Sequence, residues 1–207
     1  MTQPFLGGLE PEHHPCAELS QWYTAPELAR RIVRWSLPAI GMRILEPAAG
    51  RGALIDPLVP LLESRAIEVV ACELDEANVE VLRARYHGLN VDVRHCDFLA
   101  TDVGRCDLAL QNPPYEDDRD IGFVLHALEH APRVVALLRS AFRHGARRRN
   151  QVWRWAELLR VVELAERPRF EGPVSGSPLS DFAVFELSSR PLPRAPGEAD
   201  RPKVEWW

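Results

Sequence analysis

The chain has 207 residues, enough for one sizeable hydrophobic core and short for two, so a single domain of catalytic size is expected. Its 46% hydrophobic and 27% charged residues are ordinary for a globular protein, and no apolar run approaches the length of a membrane span. The net charge of −5 argues against a surface that is positive throughout, and Met1-Thr2-Gln3-Pro4-Phe5 lacks the basic flank and apolar stretch of a secretory signal, so a cytoplasmic, reducing setting is expected.

Residues 1–20 carry Gly7-Gly8, Pro11 and Pro15 without periodicity and read as an irregular arm. A helix follows: Thr24 can cap it, Pro26 suits its first turn, and Leu28, Ile32, Val33 and Trp35 share one face. From Arg43 onward, short apolar runs at 44–45, 69–71, 91–93, 108–110 and 134–138 alternate with amphipathic stretches near 53–63, 75–87 and 120–130. Strands separated by crossover helices make a parallel sheet covered on both faces, with its ligand crevice at the carboxyl ends of the strands. After a basic helix near 147–158, residues 161–166 and 182–187 read as two more strands joined by a Gly- and Ser-rich loop, which suggests an antiparallel edge. Residues 191–207 begin with linker composition, and Trp206 and Trp207 can pin them to a surface.

The average charge hides an asymmetry. Between 133 and 169, ten arginines, among them Arg147, Arg148 and Arg149, are opposed only by Glu157, Glu163 and Glu166, with Trp153 and Trp155 interleaved. Guanidinium groups among aromatics suit a phosphate backbone and exposed bases; a solvated helix face with inward tryptophans is the other reading.

The chemistry-bearing residues fall at the strand ends. Leu45-Glu46-Pro47-Ala48-Ala49-Gly50-Arg51-Gly52-Ala53 stands where the first strand yields to a helix, so small residues let backbone approach a ligand. A dinucleotide fingerprint wants a small residue three after Gly52; Ile55 stands there, which counts against NAD. Glu73 ends the second strand, placed to accept from ribose hydroxyls, while Asp75 is a helix cap. Asp97-Phe98 gives the third strand an acidic tip and an aromatic ring. Gln111-Asn112-Pro113-Pro114-Tyr115 follows the fourth: the prolines stiffen the backbone and remove amide donors, leaving the Asn112 amide oxygen and the Pro113 carbonyl as acceptors for a planar NH2 group. Tyr115 offers a face for a target ring. Cys16, Cys72, Cys96 and Cys106 lack ligand spacing, and His126 and His130 lie four apart without further ligands, so no metal site is expected.

Taken in order, Gln21-Trp22-Tyr23-Thr24-Ala25-Pro26, 46–52, Glu73, Asp97-Phe98 and Asn112-Pro113-Pro114-Tyr115 resemble the amino-methyltransferases with an N-terminal cofactor segment, especially N6-adenine DNA methyltransferases of bacteria and phages. The resemblance covers about residues 20–190. It implies a Rossmann-like class I methyltransferase domain over 21–190, an α/β fold with a seven-stranded, mostly parallel sheet, an antiparallel edge strand and helices on both faces. It implies S-adenosyl-L-methionine as cofactor, with Tyr23 and Thr24 at its methionine end, Glu46 and Gly50 at its amino-acid portion, Glu73 at the ribose, Asp97, Phe98 and Phe123 at the adenine, and Pro47, Ala48, Gly52, Leu74 and Asn112 also binding it. Asn112, Pro113, Pro114 and Tyr115 would be catalytic; Tyr115, Arg147, Arg148, Arg149 and Phe170 would meet the substrate. The implied reaction is transfer of methyl to N6 of adenine in DNA. RNA adenine or a protein glutamine is the alternative acceptor, and a non-catalytic cofactor-binding subunit is the reading from another class. A large target-recognition domain does not fit this length, so base reading falls to the arm, the arginine-rich stretch, the 171–180 loop, a specificity subunit or a second copy.

Overall fold

A computed structural model of the chain describes residues 23–171, 180–189 and 202–207. In chain order these form β1 (Tyr23–Thr24), α1 (Pro26–Ser36), β2 (Arg43–Glu46), α2 (Val59–Glu63), β3 (Glu68–Glu73), α3 (Glu76–Arg85), β4 (Val91–His95), β5 (Leu108–Gln111), α4 (Arg119–His130), β6 (Arg133–Arg139), α5 (Ala146–Gln151), β7 (Glu157–Glu163), β8 (Phe170–Glu171), β9 (Phe182–Ser188) and β10 (Lys203–Trp206). The expected arm at 1–20 and the 172–179 loop lie outside the described residues.

Eight strands make the main sheet in the order β10-β7-β9-β6-β5-β2-β3-β4, and β1 pairs with β8 in a separate antiparallel ribbon. β2, β3, β4, β5 and β6 run parallel, as apolar runs linked by helical crossovers require. The antiparallel element is placed differently from expectation. β9 pairs antiparallel with both β6 and β7 and so lies inside the sheet, and the edge is β10, parallel to β7.

β9 is buried along its whole length although it contains Glu186. The carboxylate lies between Arg133, at 2.6 Å, and Arg160, so two neighbouring strands supply the charges that allow its burial. Arg160 also stacks on Trp35, with its guanidinium carbon 4.1 Å from the ring centroid. Trp35 in turn meets Trp207 edge-on at 6.0 Å and donates to the Glu205 carboxylate at 3.3 Å. The end of the chain is thereby held as an eighth strand by Trp207, whereas Trp206 is 71% exposed.

Other differences are local. The helix near 53–63 shrinks to a 3-10 turn at Asp56–Leu58 and the short α2, where Pro57 and Pro60 remove amide donors. The basic helix ends at Gln151, and the chain is extended from Glu157. α1 is preceded by Ala25 without a side-chain cap, so Thr24 is not its cap. Asp75 does cap α3, accepting from Ala77 N at 2.8 Å and Asn78 N at 3.4 Å.

Candidate active site

At the carboxyl ends of the central strands a pocket is lined by Tyr23, Thr24, Glu46, Ala48, Ala49, Gly50, Ala53, Leu54 and Asn112. β2 delivers Glu46, which is 3% exposed, with Oε1 unpartnered among the described residues. Burial pushes its carboxyl well above the usual range; the Ala48 amide opposes the shift and the Glu73 charge adds to it.

The turn after β2 is shaped by contacts that exclude side chains. Gly50 has φ +53°, and a Cβ there would sit 3.0 Å from the Tyr23 ring. Gly52 has φ +90°, and its Cβ would fall 2.1 Å from the Tyr86 hydroxyl, which itself lies 2.9 Å from Gly52 O and 2.7 Å from Asp56 Oδ1. Tyr86 was not identifiable as a site residue from sequence, because an aromatic at a helix end reads as packing. Burial pushes its hydroxyl far up, and hydrogen bonding to Asp56 adds to the shift.

Glu73 closes the turn from the next strand. Its carboxylate accepts from Gly50 N at 2.6 Å, Leu74 N at 2.9 Å and Asp75 N at 2.8 Å. Burial raises its carboxyl, opposed by the amides of Asp75, Gly50 and Leu74. Tyr23 donates to Asn78 Oδ1 at 3.2 Å, and Arg51 lies 5.2 Å from its ring centroid.

β5 delivers Asn112. Its Nδ2 donates to Thr24 Oγ1 at 3.0 Å, which ties the loop to β1, and its Oδ1 accepts from the Tyr115 hydroxyl. That hydroxyl also lies 3.0 Å from Leu137 O. Tyr115 is 6% exposed, edge-on to Phe182 at 5.2 Å, and burial pushes its hydroxyl well above the usual value. Arg139 donates to Tyr115 O at 2.8 Å and lies 5.5 Å from the ring centroid.

Thus Tyr23, Thr24, Glu46, Ala48, Gly50 and Asn112 converge on one pocket, with Glu73 joined to it through Gly50. Pro47 and Gly52 are buried behind the turn, whereas Leu74 is 42% exposed at the tip of β3. The expected adenine-side residues are less open than the sequence suggested. Phe98 and Phe123 are buried against each other at 5.4 Å, and Asp97 spends one oxygen capping Leu99 N at 3.0 Å. The expected open face of Tyr115 is a further difference, and Phe170 is a core residue. Phe170 is 3% exposed and meets Phe182 at 5.4 Å, so one aromatic cluster buries both rings. Nor are the three arginines uniformly available. Arg147 and Arg148 pair with Asp118, Arg148 at 3.1 Å, while Arg149 is exposed. Among the described residues no cluster of His, Cys, Asp and Glu is arranged to hold a metal, and no helix is long and apolar enough to cross a membrane.

No family model matches the chain. It is 32% identical over 182 residues to an rRNA adenine N-6-methyltransferase of Streptomyces fradiae, covering 86% of this chain and 52% of the relative. It is 36% identical over 75 residues to the modification methylase CviBIII of Paramecium bursaria Chlorella virus NC1A, covering 36% of this chain and 19% of that protein. The chain spans about half the length of the curated relatives it matches over most of its own length. Among solved structures, a putative RNA methyltransferase of Pyrococcus horikoshii superposes with a TM-score of 0.65 at 19% identity, covering 87% of this chain and 93% of that one. The chain therefore has the α/β Rossmann-like fold of class I methyltransferases and is similar to S-adenosylmethionine-dependent adenine N6-methyltransferases.

Proposed function

We propose that the chain transfers the methyl group of S-adenosyl-L-methionine to the exocyclic N6 of adenine in nucleic acid. The observation that carries this is Asn112, a polar amide held at the tip of β5 by Thr24, in a pocket also lined by the buried Glu46 carboxyl, one oxygen of which has no partner among the described residues. The pocket fits an amino-acid moiety. An ammonium donor at Glu46 would supply the missing hydrogen bond and compensate for the buried charge. Gly50 and Ala48 leave room beside it, and Glu73 lies next in line for ribose hydroxyls, three of its acceptor positions being already used by backbone amides. S-adenosylmethionine, when bound, supplies an activated methyl on sulfur.

The chain's own work is to hold the acceptor amine. An amide oxygen has two lone pairs, so Asn112 Oδ1 can accept from a substrate amino group besides the Tyr115 hydroxyl; the Pro113 carbonyl takes the second hydrogen. Holding both hydrogens favours the tetrahedral nitrogen required for attack, and the proton leaves to water once the nitrogen carries positive charge. No strong base is required.

The identity of the polymer is the finer part of the proposal. The arginine–tryptophan stretch favours nucleic acid over protein and the sequence resemblance favours DNA, whereas the relative matched over 86% of the chain is named for rRNA and favours RNA. Transfer of labelled methyl to matched DNA, RNA and glutamine-peptide substrates, followed by nucleoside digestion and mass spectrometry, tests the reading. N6-methyladenine is expected from wild type and at least 100-fold less from Asn112→Ala, on the scale of losing an electrostatic contact in a transition state. Cofactor binding without transfer to any substrate would favour the non-catalytic subunit instead.

A further inference from the structure

The arginines of this half of the sheet are mostly neutralised. Arg133 and Arg160 share Glu186, Arg143 lies 2.9 Å from Glu163, Arg147 and Arg148 hold Asp118, and Arg167 lies 3.0 Å from Asp181. Arg139 differs. It is half-buried at the carboxyl end of β6, and none of the described carboxylates lies within ion-pairing distance of it. One Nη2–H reaches Tyr115 O at 2.8 Å, and the guanidinium rests against the Tyr115 ring. The Arg139 charge acts on Asp120, but that carboxylate is already engaged by Ile121 N at 2.9 Å and Arg148 at 3.5 Å.

A guanidinium has five N–H donors in a planar fork that matches the oxygens of a phosphate. Here one donor is bound to the backbone of the very loop that carries Asn112, and among the described residues the remaining edge meets no carboxylate. A half-buried cation loses solvation, and an anion arriving with the ligand restores that loss most directly. An extruded base brings such an anion on each side, since its sugar is joined to two phosphodiesters. β6 neighbours β5 with Gln111 opposite Ala136, so Arg139 stands on the crevice end of the strand next to the catalytic loop.

We propose that Arg139 is a substrate-positioning residue that grips a phosphodiester flanking the methylated base. This rests on the nucleic-acid methyltransferase reading above. It makes the same side chain fix both the Asn112–Tyr115 loop and the strand presented to it, so that loop and base are brought into register by one rigid fork.

The test uses the full chain with fluorescent single-stranded 15-mers of DNA and RNA, each holding one adenine, titrated at several salt concentrations. Each phosphate contact to a single strand contributes about 0.7 to the slope of log affinity against log salt. Arg139→Gln is expected to lower the slope by about that amount and Arg139→Lys to keep it, with thermal unfolding verifying that both fold. An unchanged slope in Arg139→Gln, whatever the affinity, would show a brace for Tyr115 and overturn the proposal. A second measurement needs only wild type: replacing single phosphates by neutral methylphosphonates in the DNA probe. Weakened binding at a position next to the adenine supports the assignment, and no effect at either flanking position refutes it. Methyl transfer by wild type is followed in parallel. Transfer with a negative Arg139 result removes only this assignment, whereas no transfer to either polymer removes the functional reading with it.

Discussion

Gly52 is where the pocket turn is most sensitive to a single methyl group. Gly52→Ala places a non-glycine residue at φ +90° and a Cβ 2.1 Å from the Tyr86 hydroxyl, with two ring carbons at 2.8 Å. The left-handed backbone alone costs about 1–2 kcal/mol. Tyr86 is 3% exposed and has no room to retreat without losing its contacts to Gly52 O and Asp56 Oδ1, worth about 0.5–1.5 kcal/mol each. The expected destabilisation is therefore about 2–5 kcal/mol. Gly41→Ala is the internal control, since Gly41 has φ +85° and nothing within 4 Å of its missing Cβ, so it carries the backbone cost alone. Urea unfolding of both variants separates the two contributions, and calorimetry with S-adenosylhomocysteine tests whether the distorted turn still binds. A difference between the variants below about 0.5 kcal/mol, the usual scatter of surface changes, would refute the role given to Tyr86.

Three further outcomes are expected. Glu46 has a carboxyl raised by burial, so the folded protein holds its proton above the pH at which the unfolded chain releases it; unliganded stability should fall as pH rises from the ordinary carboxylate range through the folded value. Glu46→Gln should reduce that fall in pH-dependent denaturation while weakening S-adenosylhomocysteine binding at least 10-fold; unchanged ligand affinity would argue against an ammonium partner. Asp118→Asn keeps a residue tolerant of φ +58° and removes the charge that holds Arg147 and Arg148. It should cost no more than about 1 kcal/mol and strengthen nucleic-acid binding with a steeper salt dependence, read by anisotropy. Trp207→Ala removes the contacts to Trp35 and Arg31 and should lower stability by about 2–4 kcal/mol in chemical denaturation, with the pocket around Glu46 and Asn112 unaffected.

The alternation of apolar runs and amphipathic stretches was legible because each strand of the parallel part is short, apolar and bounded by a helix. The order of the late strands was not. β7 and β9 look alike as strings, and periodicity carries no record of which one inserts between neighbours; the burial of Glu186 depends on Arg133 and Arg160 from the two adjacent strands. β10 was not legible because its four residues are too short a run to show a period and its hold comes from Trp207 on Trp35, on α1 near the start of the described chain. At the site, Glu46, Gly50 and Asn112 were readable from position at strand ends. Thr24 looked like a helix cap, yet its hydroxyl serves Asn112, a pairing across 88 residues that local rules do not contain. Tyr115 reads as a platform, and its burial, like that of Phe170, depends on Phe182 from a third segment.

The two-residue ribbon of Tyr23↔Glu171 and Thr24↔Phe170 has a consequence for biosynthesis. One wall of the pocket is made early and must wait for a segment translated much later to clamp it, so nascent chains stopped before 171 should build much of the parallel sheet while lacking a closed pocket. Ligand-capture competence then reports completion of the domain.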